Sequence, residues 1–578
     1  MHHHPAAAAR RRCSSPLSFA LLASVLAACG SGGPESGGAN GDSSPPTPGA
    51  VDDGTGADVD TQTSTSVLSA NWHGFVDAEG PIAFYECAVG TAPGSTDVLA
   101  WTAVGATTTV AAGGFALGIG TTYYVAVRAV DLAGNRSVAA FSDGVLVTGG
   151  DGGGSQSARA LSQWGITWTF AQDHPVGQFA NGDWWVVGPV DVIDISPHTQ
   201  LSGTRTINGS MLDPVPNGVQ GYDSALYDAF ASGRYDPVLN VATGVAAQQP
   251  LHVAAGHSLI STISQLVPAQ NGSLSQLRTA AVLTVLGSPP ATGSFRPPYC
   301  AGDKTVRFSE AQLDYTVLAS LQSVPGTPAM ADVADRFARV WLDHTPGWLS
   351  RYRHPVDNMP DYSRDFTSLV GTGALLLNLD FQWAEKRTLF VRMVQLGIDD
   401  FGNVVGGCNW PGTGGQCSGR KFPILFAGRA LHDAAMSAIG TSHATVFLGP
   451  GNAANTTTFG EDSQTFVVQQ TSPGVYNWGF GGYTSQHVGM PEWGNSHAPL
   501  PNNDNAAWGF DPYRRCCTGN AWIGEALALR IMGLRTAWNH QPFFDYIDRF
   551  VGQEPAGSWT RAWEPWQETM WTSYRVLF

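Results

Sequence analysis

Alternating apolar and polar positions dominate the first half of the chain, and a period near 3.6 dominates the second. Period-two runs occur at Val67–Trp72, Ile82–Val89 and Thr121–Asp131, and again at Ile166–Phe170, Asp183–Ile195, Ser258–Ser264 and Thr279–Leu286. Runs of this kind put every second side chain on one face, so they predict strands of two β-domains. After the Pro-rich Phe295-Arg296-Pro297-Pro298-Tyr299-Cys300 the period changes. Amphipathic helices are predicted at about 309–323, 329–343, 364–381, 383–399 and 422–439, then at 518–534, 541–550 and 560–576, around a glycine-rich, strand-like insert at 445–482. Eight helices suit four antiparallel hairpins around a cleft. The expected fold class is therefore multidomain α+β: a β-sandwich, a second β-sandwich-like domain, and an incomplete α/α toroid.

The ends of these patterns set the boundaries. Arg10-Arg11-Arg12 precedes a short apolar stretch from Pro16 to Ala28, too short to span a bilayer, which reads as a signal peptide over 1–28. Its last residues, Leu26-Ala27-Ala28-Cys29, resemble the bacterial lipobox, in which the cysteine is lipidated and becomes the first residue. Gly30 rather than Asp follows, which points to the outer membrane or cell surface. Residues 29–63 are rich in Gly, Ser, Pro, Asp and Thr and read as a disordered tether. The sandwich occupies 64–149, a Gly-rich linker 150–159, the second β-domain 160–300 and the helical domain 301–578.

Composition narrows the function classes. The 578 residues suit three or four domains. Charged residues are only 13 %, while 69 Gly and 36 Pro favour strands, turns and loops over a coiled coil. The net charge is −16, with no basic block beyond the first dozen residues, so a nucleic-acid partner is excluded. Only Lys304, Lys386 and Lys421 are lysines, which leaves Arg to recognise anions. Beyond Cys13 and Cys29, six cysteines remain, an even number that permits disulfides after export. Cys408 and Cys417 flank a short glycine-rich loop and are the expected bridge. CxxC pairs are missing, so no metal site is expected; no cofactor is called for, and a structural calcium ion has no motif of its own.

Trp72, the Tyr123–Tyr124 pair and the stretch from Tyr124 through Asp131 to Ala133-Gly134-Asn135 resemble the core tryptophan, tyrosine corner and late strand of a fibronectin type III domain. That resemblance covers about 85 residues and implies a spacer or weakly adhesive module. A β-domain joined to a helical toroid in an exported protein resembles the alginate-lyase and heparinase-like polysaccharide lyases, although their sandwich more often follows the toroid. The resemblance implies β-elimination on a uronate-containing glycan. Such chemistry needs a group that neutralises the carboxylate, a base for the C5 proton and an acid for the leaving oxygen. Tyr483 and His487 are the expected base and acid, Arg420 the carboxylate holder, and Asn358 its helper. Lys421, Arg514, Arg515 and Tyr513 would line subsites, with Trp410 and Trp493 stacking on sugar faces. The structural alternative for each is loop satisfaction, local ion pairing or core packing. Two other readings stand beside the lyase: a glycoside hydrolase using carboxylates such as Glu461, Asp462 or Glu492, and a non-catalytic glycan-binding lipoprotein. In each, the partners are a polysaccharide and, through the N-terminal lipid, the membrane, and the protein is a monomer.

Overall fold

The computed structural model describes residues 43–54, 56, 58–62, 67–113, 115, 117–118, 121–147, 156–216, 219–225, 235–266, 277–344, 355–357, 364–410, 412, 414–415, 417–446, 458–494 and 514–578. The chain is mixed α+β, with several sheets. Cys29, Asn358 and Tyr513 lie outside the described residues.

The first unit contains β1 (Ala50–Asp53), β2 (Thr61–Gln62), β3 (Val67–His73), β4 (Ile82–Gly90), β5 (Leu99–Gly105), β6 (Thr109–Gly113), β7 (Thr122–Asp131), β8 (Ala140–Phe141) and β9 (Val145–Val147). One sheet runs β1-β3-β6 and the other β2-β9-β7-β4-β5, with β8 beside β7. Trp72 packs edge-on against Tyr85 between them. Tyr123 is the buried member of its pair, and its hydroxyl accepts the Gly118 N–H at 2.7 Å. The expected tether over 29–63 is corrected here: β1 pairs with β3 from Ala50↔His73 to Asp53↔Ala70, and Thr47 bridges Val76. Glycine-rich surroundings conceal that strand in the sequence, yet Val51 and Asp53 alternate inward.

The second unit was expected as a sandwich, but its strands form one eight-stranded sheet and a small ribbon. The strands are β10 (Gln156–Gln163), β11 (Ile166–Gln178), β12 (Trp184–Val187), β13 (Val190–Ser196), β14 (Gln200–Ser202), β15 (Arg205–Ile207), β16 (Ser210–Leu212), β17 (Leu251–Val253), β18 (His257–Ser264) and β19 (Leu277–Leu286). The sheet order is β16-β18-β19-β12-β11-β13-β17, with β10 on β11, and β12 pairs parallel with β19. Alternation explains why no second sheet is needed. Leu259, Ala281, Leu283 and Val285 face one core with Trp168 and Phe170, whereas Ile260, Ala280 and Val282 face Tyr299, Cys300, Val340 and Leu342. The segment leading into the helices thus covers the second face.

That junction is held by two buried cations. Arg296 pairs with Asp183, just before β12, at 2.7 Å and with Asp399 of the helical unit at 2.6 Å. Lys304 donates to the carbonyls of Pro298, Tyr299, Cys300 and Ala301 at 2.6–3.1 Å and pairs with Asp213 at 3.1 Å. Beside them, Phe295, Pro297, Ile398, Phe401 and Met436 help line an apolar cleft of about 310 Å³.

The helical unit contains α1 (Met330–Arg336), α2 (Arg364–Leu377), α3 (Trp383–Val405), α4 (Lys421–Ala430), α5 (Ala434–Ser437), α6 (Ile439–Ser442), α7 (Gly460–Gln464), α8 (Gly519–Ile531), α9 (Arg535–Trp538), α10 (Gln541–Gln553) and α11 (Pro565–Tyr574). The expected helix at 309–323 is replaced by two single 3₁₀ turns, because Asp314 accepts the Thr316 N–H while its own N–H is tied to Ala430 O. The one at 329–343 stops at Arg336, and Leu342 turns back with φ of 54°. Helix α8 is buried on every face, with α2, α10 and α11 packed around it. Within the insert, β20 (Thr465–Val467) pairs with β23 (Pro491–Trp493), and β21 (Gln470–Ser472) with β22 (Val475–Tyr476). No helix among the described residues is long and apolar enough to cross a membrane.

Candidate functional site

The glycine-rich loop before α4 delivers Arg420 and Lys421 to a helix N-terminus, where the helix dipole disfavours positive charge. Acids from distant parts of the chain compensate. Arg420 is fully buried, and its Nε and Nη2 donate to Asp343 Oδ1 at 3.1 and 2.9 Å. Nη1 donates to Ser418 O at 2.5 Å, and the guanidinium lies 4.5 Å over the Phe366 ring. Lys421, also fully buried, pairs with Asp462 and donates to Trp538 O. Glu461, at the start of α7, accepts the Gly419 N–H at 2.5 Å. Asp400 of α3 and Glu525 of α8 complete the group, both buried.

Five carboxyls therefore share a closed core with two cations, and they cannot all ionise. Burial, reinforced by Asp462, pushes the Glu461 carboxyl up to about 7. Burial and the Asp343 charge hold Asp400 well above the usual carboxylate range; burial and the charges of Glu461 and Asp462 do the same to Glu525. Neither Glu525 oxygen has a hydrogen-bond partner among the described residues. The arrangement can hold protons on some carboxyls beside ionised neighbours, as acid catalysis requires.

A second cluster centres on the buried Glu492. It accepts from Arg514 at 2.8 Å, Arg549 at 3.1 Å and the Tyr483 hydroxyl at 2.9 Å. The His487 ring stands 5.8 Å from that of Tyr483, and its Nδ1 accepts the Thr484 N–H. Tyr483, Trp493 and Arg514 are thus brought together, and His487 adjoins them.

Arg420, Lys421 and Trp410 belong to the first cluster instead. The role expected for Arg420 is corrected, since its guanidinium holds Asp343 rather than facing a ligand. Trp410 and Trp493 are fully buried, so neither offers a stacking face; Trp410 Nε1 donates to Asp343 O at 3.0 Å. Arg515 pairs with Glu554 at 2.7 Å. None of these residues borders the cleft at the junction. The expected Cys408–Cys417 bridge is also corrected: both are free, buried thiols, while Cys516 and Cys517 form a disulfide. The Cys408 thiol faces Asp343 O at 3.6 Å, and Cys417 adopts φ of 66°.

Sequence reasoning did not single out Asp343, Asp400 or Glu525 as site residues. A signal existed for Glu525, a lone acid inside the apolar Ala521–Leu529. Among the described residues, no three potential metal ligands of the helical unit are spaced to share an ion.

No family model matches the chain, and no curated protein matches its sequence. Among solved structures it is weakly similar to the twitchin kinase region from C. elegans, at 16 % identity and TM-score 0.14, across 21 % of this chain and 19 % of that one. It is also weakly similar to the FN1-FN3 domains of chicken CNTN1, at 10 % identity and TM-score 0.14, across 42 % and 67 % of the two chains. A third likeness is to alpha-L-rhamnosidase from Dictyoglumus thermophilum, at 10 % identity and TM-score 0.16, across 41 % and 29 %.

Proposed function

We propose that the helical unit, read as an incomplete α/α toroid, is a carbohydrate-active enzyme that cleaves glycosidic bonds by hydrolysis. In this reading the core opens to admit the glycan, Glu461 donates the proton to the leaving oxygen as the glycosidic bond breaks, the neighbouring Asp462 carboxyl supports the developing positive charge, and water adds to the anomeric carbon. The observation that carries it is the packing of five buried carboxyls, Asp343, Asp400, Glu461, Asp462 and Glu525, around Arg420 and Lys421, where burial pushes Glu461 up to about 7, because a general acid works best when its pKa lies near the working pH. β-Elimination is the second reading, favoured by the Tyr483 hydroxyl set against Glu492 between Arg514 and Arg549. The chain acts at the bacterial surface, anchored by lipid on Cys29, with the fibronectin-like module as spacer. Membrane fractionation tests the anchor: Cys29→Ser is expected in the soluble fraction, and unchanged membrane retention contradicts it.

The test of activity is incubation of the soluble chain with neutral and uronate-containing polysaccharides, following both new reducing ends and the ultraviolet absorbance of unsaturated uronates. Reducing ends without absorbance support hydrolysis, and reducing ends with absorbance support elimination. Tight binding with neither signal makes the protein a glycan-binding lipoprotein.

A further inference from the structure

An acidic corner lies in the first sandwich, far along the chain from the carboxyl core. Asp53 ends β1, Asp58 lies in the loop after it, and Asp143 lies between β8 and β9. Each presents a carboxylate oxygen, and these oxygens lie within 4.8 Å of one another. Asp53 is fully buried. Its Oδ2 accepts the Gly144 N–H at 3.1 Å, but the buried Oδ1 accepts no hydrogen bond. Among the described residues, no Lys, Arg or His pairs with any of the three; the nearest acid with such a partner, Asp52, faces His73. A buried oxygen left unpaired beside two further carboxylates is costly unless a cation completes it.

We propose that Asp53, Asp58 and Asp143 form a divalent-cation site with a preference for calcium. Three carboxylates, two of them exposed and borne on loops, leave room for water ligands and impose no regular octahedron; calcium tolerates such a shell of six to eight oxygens, whereas magnesium demands near-ideal geometry. The bound ion ties the first strand to the turn before the last one. This holds whatever the helical unit catalyses.

Isothermal titration of the chelator-treated full chain tests it. One calcium per chain is expected, with Kd in the range of about 10⁻⁴–10⁻³ M found for extracellular modules, and magnesium at least about tenfold weaker. Asp143→Asn is expected to weaken calcium about tenfold or more while the calcium-free protein melts no lower than wild type, because the exposed side chain removed there only adds repulsion. Asp58→Asn, also exposed, supplies an independent variant with the same loss of calcium affinity expected, since its amide oxygen can still accept the Asp53 N–H that Asp58 accepts at 2.8 Å. Absence of a saturable calcium signal at about ten times that concentration range overturns the site. So does calcium binding that both variants leave intact.

Discussion

All three lysines are buried, Lys304 at 6 %, Lys386 at 7 % and Lys421 at 0 % exposure, so this rare residue type is spent inside the molecule. Lys304 joins four carbonyls and Asp213, and Lys304→Met removes the ammonium from all five, although Asp213 keeps the Ser258 N–H and His257. The expected loss is about 3 kcal/mol or more, read as a lower denaturant midpoint at unchanged slope. Glu461 gives a second, pH-dependent expectation. Its pKa is raised in the folded state from 4.5 to about 7, so between those values the folded chain holds a proton that the unfolded chain has lost. Stability from this group is present below pH 4.5 and falls through about 7, at up to about 1.4 kcal/mol per pH unit. Glu461→Gln is expected to flatten that part of the stability profile while cutting turnover about 10²–10⁴-fold. Two unfolding series, one at each end of the window, check the first part. Arg420 and Lys421 were visible in the sequence as cations aimed at a helix start, but their partners were not: Asp343 stands 77 positions from Arg420 and Asp462 stands 41 from Lys421.

At the scale of elements, close packing decides which sequence patterns survive. Helix α3 runs six residues beyond its expected end, because the pattern past 399 still buries Val404 against the core. It meets α4 through Gly397, where an added Cβ would stand 2.1 Å from Pro423 O and 2.6 Å from the Ala427 Cβ. At Gly371 of α2 an added Cβ would stand 2.7 Å from Glu525 N of α8. Gly397→Ala gains about 1 kcal/mol of helix propensity yet overpacks by about 1–3 kcal/mol or more, since Pro423 O is backbone and cannot yield easily. A net drop in melting temperature is expected, and an unchanged or higher one refutes the contact. Periodicity located the long strands and long helices well, since burial repeats along them. It failed at 309–323, where local side-chain caps outcompeted helix, and at β1, a four-residue strand with too few positions to show a period.

For the molecule as a whole, order of units was legible and their contacts were not. Periodicity and linkers indicated two β-units followed by a helical unit, but the single sheet covered by the next segment depends on residues such as Ile260 and Leu342 meeting across the chain. Cysteine pairing was misjudged for a related reason: loop length suggested Cys408–Cys417, while burial points the two thiols elsewhere. Alkylation of the unfolded, unreduced protein is expected to label Cys87, Cys300, Cys408 and Cys417 and to spare Cys516 and Cys517. Peptide mass mapping that finds Cys408 joined to Cys417 contradicts this. Strand β1 carries a mechanical consequence. Any tension arriving through the chain ahead of Ala50 meets the Thr47–Val76 bridge first, then the four residue pairs between β1 and β3, and then the two pairs between β2 and β9. The sandwich is therefore a fuse with a short leading strand. At Asp53, the last residue of β1, an ion bridging to Asp143 would act as a rivet and make the extension under load depend on calcium.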